Sequence, residues 1–123
     1  MAAVESKNVL GAPLQQHNAE LSTGFYRDGY CNTGADDAGT HVVAATVTKE
    51  FLAFTKAKGN DLQTPRPELR FPGLKPGDRW CLCAARWSEA EKAGVAPPIN
   101  INATHAKALR IIPLETLKKY QKP

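Results

Sequence analysis

The side chains with the clearest capacity for covalent chemistry are Cys31, His41 and His105. A thiol becomes a nucleophile once it loses its proton, and a histidine in hydrogen-bond reach can take that proton near neutral pH. Cys31 lies in a run of turn formers, where a thiol would meet solvent. Asn32 beside it has the chemistry to orient a histidine or to donate to an oxyanion. No local signature accompanies the three, so a buried or merely tolerated thiol is the plainer account of Cys31. His105 follows Thr104 at the expected start of a helix, where the dipole lowers an imidazole's affinity for a proton; a capping-region histidine without a catalytic role is the plainer account there. His17 sits in a polar early segment and carries no signal.

Three cysteines and three histidines suffice on paper for a zinc site of three thiolates and one imidazole. The spacing argues otherwise, because Cys81 and Cys83 flank a single residue and no Cys-x-x-Cys knuckle supplies the tight chelate. Cys81 and Cys83 read better as small apolar residues on one strand face. Two positions apart on a strand are separated by roughly 6.5 Å, whereas a disulfide needs Cβ atoms about 4 Å apart, so this pair is expected to be reduced. Asp28, Asn32, Asp36 and Asp37 could gather oxygens around a hard cation. Aligned with a calcium loop from Asp28, however, the sixth position is Thr33 rather than glycine and the twelfth is Gly39 rather than glutamate. Stabilising turns is the better account of those residues. The pairs Arg79-Trp80 and Arg86-Trp87 suggest a stacking platform for bases. Seven positions, an odd number, separate the tryptophans, so a straight strand would point them to opposite sides; Trp80 is expected in the core and Trp87 over the following helix. No metal and no cofactor is expected.

Size and charge set the frame for these groups. A chain of 123 residues fits one domain and can bury about two thirds of its unfolded surface. The early residues Met1 to Val9 lack a basic head followed by an apolar stretch, and no apolar run approaches the ~20 residues that span a bilayer. With an odd number of cysteines, these features lead to an expected cytoplasmic location and no membrane partner. The net charge of +4 invites a nucleic-acid reading. Residues 1–106 nevertheless balance eleven Lys and Arg with eleven Asp and Glu, and the excess comes from residues 107–123, where lysines complement a helix end. A dedicated binder would spread basic residues over a core face, so nucleic acid is not expected as a partner.

The elements that must position the candidate residues follow from periodicity. Residues 41–47 are rich in β-branched side chains and apolar on both faces, which predicts a central strand. Thr48 caps a helix with Phe51, Leu52 and Phe54 as its buried stripe, and Gly59-Asn60 ends it. Residues 61–78 carry four prolines and must be extended or turning; Lys75-Pro76-Gly77-Asp78 fits a type II turn that launches a second strand, Arg79 to Arg86. Ser88-Glu89-Ala90-Glu91 predicts the capping box of a short helix ending at Gly94. Ile99 to Asn102 alternates like a half-exposed strand, Thr104 caps a short helix through Leu109, and Arg110 to Ile112 reads as a brief strand. Pro113 opens a last helix through Tyr120. Met1 to Asn8 is expected to be a flexible start, followed by one domain over 9–121, and Gly24 to Thr40 a compact surface loop. The fold class is α+β: a two-layer α/β domain, a small mixed sheet with helices mainly on one face and long turn-rich loops.

Several blocks occur in a fixed order: Gly24-Phe25-Tyr26-Arg27-Asp28-Gly29, Cys31-Asn32-Thr33-Gly34, Gly59-Asn60-Asp61-Leu62, residues 71–78, Trp80-Cys81-Leu82-Cys83-Ala84 and Ala103-Thr104-His105. In these the chain resembles the domain of unknown function 2237 family of small, mostly bacterial proteins, over roughly Asn8 to Lys118. The resemblance implies a compact α/β two-layer domain and no assigned activity. The chain departs from the pattern where a cysteine often precedes the one matching Cys31, here Tyr30, and where another often lies in the next strand, here Val43-Ala44. A family-wide metal or redox role that needs those thiols does not carry over.

The function expected is a small binding module. The loops Gly24–Gly39 and Asn60–Asp78 would border a polar pocket for a small ligand or partner, with Arg27, Asp28, Asn32, Asp61, Arg66 and Trp80 as binding residues. One alternative is an enzyme with Cys31 as nucleophile and His41 or His105 as base. Another is a protein-interaction subunit without a small ligand.

Overall fold

The computed structural model describes residues 7–17, 29–31, 33, 40–69, 71 and 73–121. At its centre two strands, β1 (His41–Thr46) and β2 (Arg79–Cys83), pair antiparallel. Val43 lies opposite Leu82, Ala44 opposite Cys81 and Thr46 opposite Arg79, with an irregularity between His41 and Val43. The pairing outlasts β1, because Val47 N–H donates to the Asp78 carbonyl and Gly77 N–H to that of Val47. The small α+β domain is as expected, with an antiparallel pair of strands where a mixed sheet was anticipated.

β1 is central, for a segment without strand geometry covers its other edge. Thr46 N–H donates to Pro98 O, Asn100 N–H to Ala44 O and His105 N–H to Val42 O. The strand expected over Ile99–Asn102 is not continuous. Ile99 alone makes bridges, to Ala45 and to Gln121, and Ile101–Ala103 is a 3₁₀ turn. The Asn100 carboxamide accepts from Asn102 N–H and closes that turn, a side-chain competition that strand propensity does not capture. The predicted alternation of burial survives, with Ile99 and Ile101 buried and Asn102 exposed.

Helix α1 (Lys49–Ala57) begins as expected, with Thr48 Oγ1 accepting from Phe51 N–H. Phe51, Leu52 and Thr55 are its buried residues, and Phe54 packs half-buried against the same core. Helix α2 (Ala84–Lys92) begins four residues before the expected Ser88 and replaces the end of the predicted strand. Ala84, Trp87 and Ala90 recur at helical spacing and are all buried, and this stripe outweighs the capping box. Trp87 Nε1 donates to the Pro97 carbonyl, which satisfies the indole inside the core. Both helices bury their stripes against the Val43, Ala45, Trp80 and Leu82 side of the sheet.

His105, rather than Thr104, caps the 3₁₀ helix Ala106–Arg110, its Nδ1 accepting from Lys107 N–H. Thr104 is fully buried and serves the sheet instead, accepting from Ala44 N–H and donating to Asn100 O. The brief strand expected over Arg110–Ile112 is helix end and turn, with Ile112 N–H returning to Ala108 O. Helix α3 (Leu114–Lys119) follows Pro113 as predicted. Asn8 belongs to the packed body: its carboxamide oxygen accepts from Leu10 and Ala12 N–H, and its nitrogen donates to Asn102 O.

Candidate functional site

The opposite face of the strand pair carries Ala44 and Cys81, and a small separate cluster of Cys31 and Ala103 covers them. Cys31 is bonded to Cys81 across 50 residues of sequence, with Cα atoms 5.3 Å apart. Both are buried, at 0% and 1% exposure. Cys31 therefore has no thiol with which to act as the expected nucleophile, and Cys81 is oxidised where a reduced residue was expected. The spacing argument concerned the Cys81 and Cys83 pair, which is indeed not joined. It could not weigh a partner brought in from a distant loop. Cys83 is a free, half-buried thiol. His41 lies across from Cys83 in the strand register, and His105 is occupied with Lys107 N–H and the Val42 carbonyl. Cys31 is thus committed to a disulfide and the His105 ring to a helix cap, while His41 stands opposite Cys83. Burial, and after it the charge of Lys107, lowers the pKa of His105.

One step along the same face, Thr46 stands opposite Arg79, and beside them opens a cleft of about 400 Å³. His17, Thr46, Arg79, Asn100, Asn102 and Gln121 give it a polar lining. Ile99, Ile101 and the backbone of Gly77 complete it, and no Asp or Glu lines it among the described residues. Each wall is held by backbone bonds. Gln15 N–H donates to Asn102 O and His17 N–H to Gly29 O, which brings the early segment over the sheet. The bond from Ile99 N–H to Tyr120 O brings Gln121 alongside.

His17 is the unforeseen member. It is 3% exposed, and its Nε2 lies 2.9 Å from the carbonyl oxygen of Ala45 in β1. A carbonyl only accepts, so Nε2 carries the proton and donates. Nδ1 is buried and has no partner among the described residues. Burial lowers the pKa of this ring, the Ala45 bond opposes that, and the Arg79 charge lowers it further. Burial and the Arg79 charge both favour the neutral ring, whose Nδ1 lone pair has no use among the described residues.

The expected binding residues fare differently. Arg27, Asp28 and Asn32 lie outside the described residues, as does most of Gly24–Thr40. Asp61 folds its carboxylate onto its own turn, accepting from Gln63 N–H, Thr64 N–H and the Thr64 hydroxyl. The Thr64 bond is the main reason its pKa is lowered. Arg66 pairs through its backbone with Phe71, and Trp80 is buried edge-on against the Phe71 ring, their centroids 5.3 Å apart. None of these three lines the cleft, because Trp80 points to the helix side of the sheet and the proline-rich loop contributes Gly77 alone. The Asn100-Ile101-Asn102 alternation was the one visible signal of a polar wall. His17 and Gln121 gave none.

No three His, Cys, Asp or Glu side chains gather as a metal site among the described residues, and no described helix is long and apolar enough to cross a membrane. No curated protein matches the chain. The family model described as "uncharacterized protein conserved in bacteria (DUF2237)" matches residues 7–121, and the chain belongs to that family.

Proposed function

We propose that this protein is a binding module that takes a small polar molecule in the cleft beside Thr46 and Arg79. The observation that carries the reading is the lining: a cleft of about 400 Å³ whose walls present a guanidinium, a hydroxyl, an imidazole and three carboxamides. Such a concave site with convergent polar groups, set against a rigid strand pair, suits a ligand fixed by hydrogen bonds. The site differs from the one first expected, since the turn-rich loops give it little of its described surface. An enzyme built on Cys31 lacks its thiol in this structure, and that alternative draws no support from it.

The cytoplasmic location expected from the sequence stays a proposal, and the buried Cys31–Cys81 bond weighs against it, since such bonds persist in oxidising compartments. A thermal-shift screen of amino acids, sugar phosphates, hydroxy acids and nucleotides tests the binding reading. A ligand at a hundred times its Kd stabilises the folded state by about 2.7 kcal/mol, a readily measured rise in Tm. The rise should shrink in Asn102→Ala and Gln121→Ala, which are exposed and whose carboxamides make no hydrogen bond among the described residues. A screen in which no compound raises Tm or perturbs a cleft resonance would sink the reading.

A further inference from the structure

We infer that His17 reads the ligand, its Nδ1 accepting a hydrogen bond from a hydroxyl or N–H group of a neutral or anionic small molecule. The inference rests on the cleft being the binding site. Geometry fixes the tautomer: the Nε2 proton is committed to Ala45 O at 2.9 Å, which leaves Nδ1 with a lone pair and nothing to donate. That nitrogen is the sole buried side-chain N or O atom among the described residues without a partner. The fold meets its other buried polar groups with care, as at Asn8, Thr104 and Trp87. An orphan acceptor on a ring that lines a polar cleft is therefore where a missing donor belongs.

The same surroundings limit the donor. Protonation of the ring is opposed by burial and by Arg79, so His17 acts as an acceptor at neutral pH. The Arg79 charge, which disfavours a positive charge on the His17 ring, likewise disfavours an ammonium donor or a metal cation beside it in the cleft. A hydroxylated acid or phosphate ester meets both conditions, placing an anionic or accepting group near Arg79 and the wall carboxamides and its hydroxyl on Nδ1. Sites that hydrogen-bond a substrate hydroxyl reject analogues lacking it far more strongly than apolar pockets discriminate a methylene.

Matched pairs of probes test this: glycerate against propionate, and glycerol 3-phosphate against propyl phosphate, each pair sharing a carbon skeleton. Binding is followed on the full chain labelled with ¹⁵N-histidine, together with whichever compound of the wider screen binds the cleft. The hydroxylated member should bind tighter by roughly tenfold or more and move the His17 Nδ1 resonance while Nε2 stays protonated. His17→Gln keeps a donor for Ala45 O and an acceptor, so it should retain part of the preference, and His17→Phe should lose it. If His17→Phe does not fold, the wild-type resonance and His17→Gln decide. Cleft binding that leaves Nδ1 unmoved, with both members of a pair equal, overturns the inference and spares the binding reading. No cleft binding by any compound removes both.

Discussion

His17 exchanges water for the Ala45 carbonyl and a covered place near the Arg79 charge, and both burial and that charge disfavour its protonated form. The unfolded chain titrates this residue near 6.5, and the folded chain titrates it lower. Between those values the unfolded state binds more protons, so stability rises with pH across the window and falls as pH drops through it. His105 acts in the same sense through its own burial. Thermal denaturation should accordingly show Tm falling as pH is lowered from about 7.5 to 5. His17→Gln, which cannot titrate there, should flatten part of that fall. An unchanged slope in the variant would show that the buried ring is not what couples folding to protons. The sequence offered no hint of this, because a histidine's burial depends on what folds over it.

Among the elements, the proline-rich connection between α1 and β2 shows how backbone conformation is specified. Gly73 adopts φ of +82°, and a Cβ built there would meet the Gln63 carbonyl oxygen at 2.5 Å. Gly77 in the turn before β2 adopts φ of +96° with open space around the same position. Both positions carry the left-handed conformational cost of a side chain, and Gly73 adds a clash with backbone that cannot swing away. Gly77→Ala should cost about 1 kcal/mol and Gly73→Ala about 2 kcal/mol or more, measured by urea denaturation. Equal losses would mean that residues 63–65 yield to the new methyl. The turn at Gly77 was legible from Pro76-Gly77, since proline and glycine name their own dihedrals. The close approach at Gly73 was not, for it depends on a strand of chain ten residues away.

Across the whole molecule, the Cys31–Cys81 bond ties the early loop to the centre of the sheet through a separation of 50 residues. Closing a loop of that size restricts the unfolded chain by roughly 4 kcal/mol in the chain-entropy account, with measured effects about 2–5 kcal/mol. The double variant Cys31→Ser with Cys81→Ser should be destabilised within that range in urea. Thiol labelling of the unfolded wild type should find one reactive cysteine before reduction and three after it. Three without reductant would show that the bond is absent from the protein as made. The tie lies on the same sheet face as Thr46 and Arg79, so its loss should also weaken any ligand held in the cleft.

Local chemistry was enough to determine β1, the Thr48 cap, α1, the turn into β2 and the helix after Pro113, because each is specified by neighbours within a few residues. It also placed Trp80 in the core. Where local signals competed, the tertiary structure chose: α2 took Ala84 as its start because the Trp87 stripe could be buried there, and Asn100 broke a strand to close a turn. The partner of Cys31, the burial of His17 and the meeting of Arg79 with Asn100, Asn102 and Gln121 join segments far apart in the chain. No spacing rule encodes such meetings, since they exist only after the sheet has gathered its covering segments.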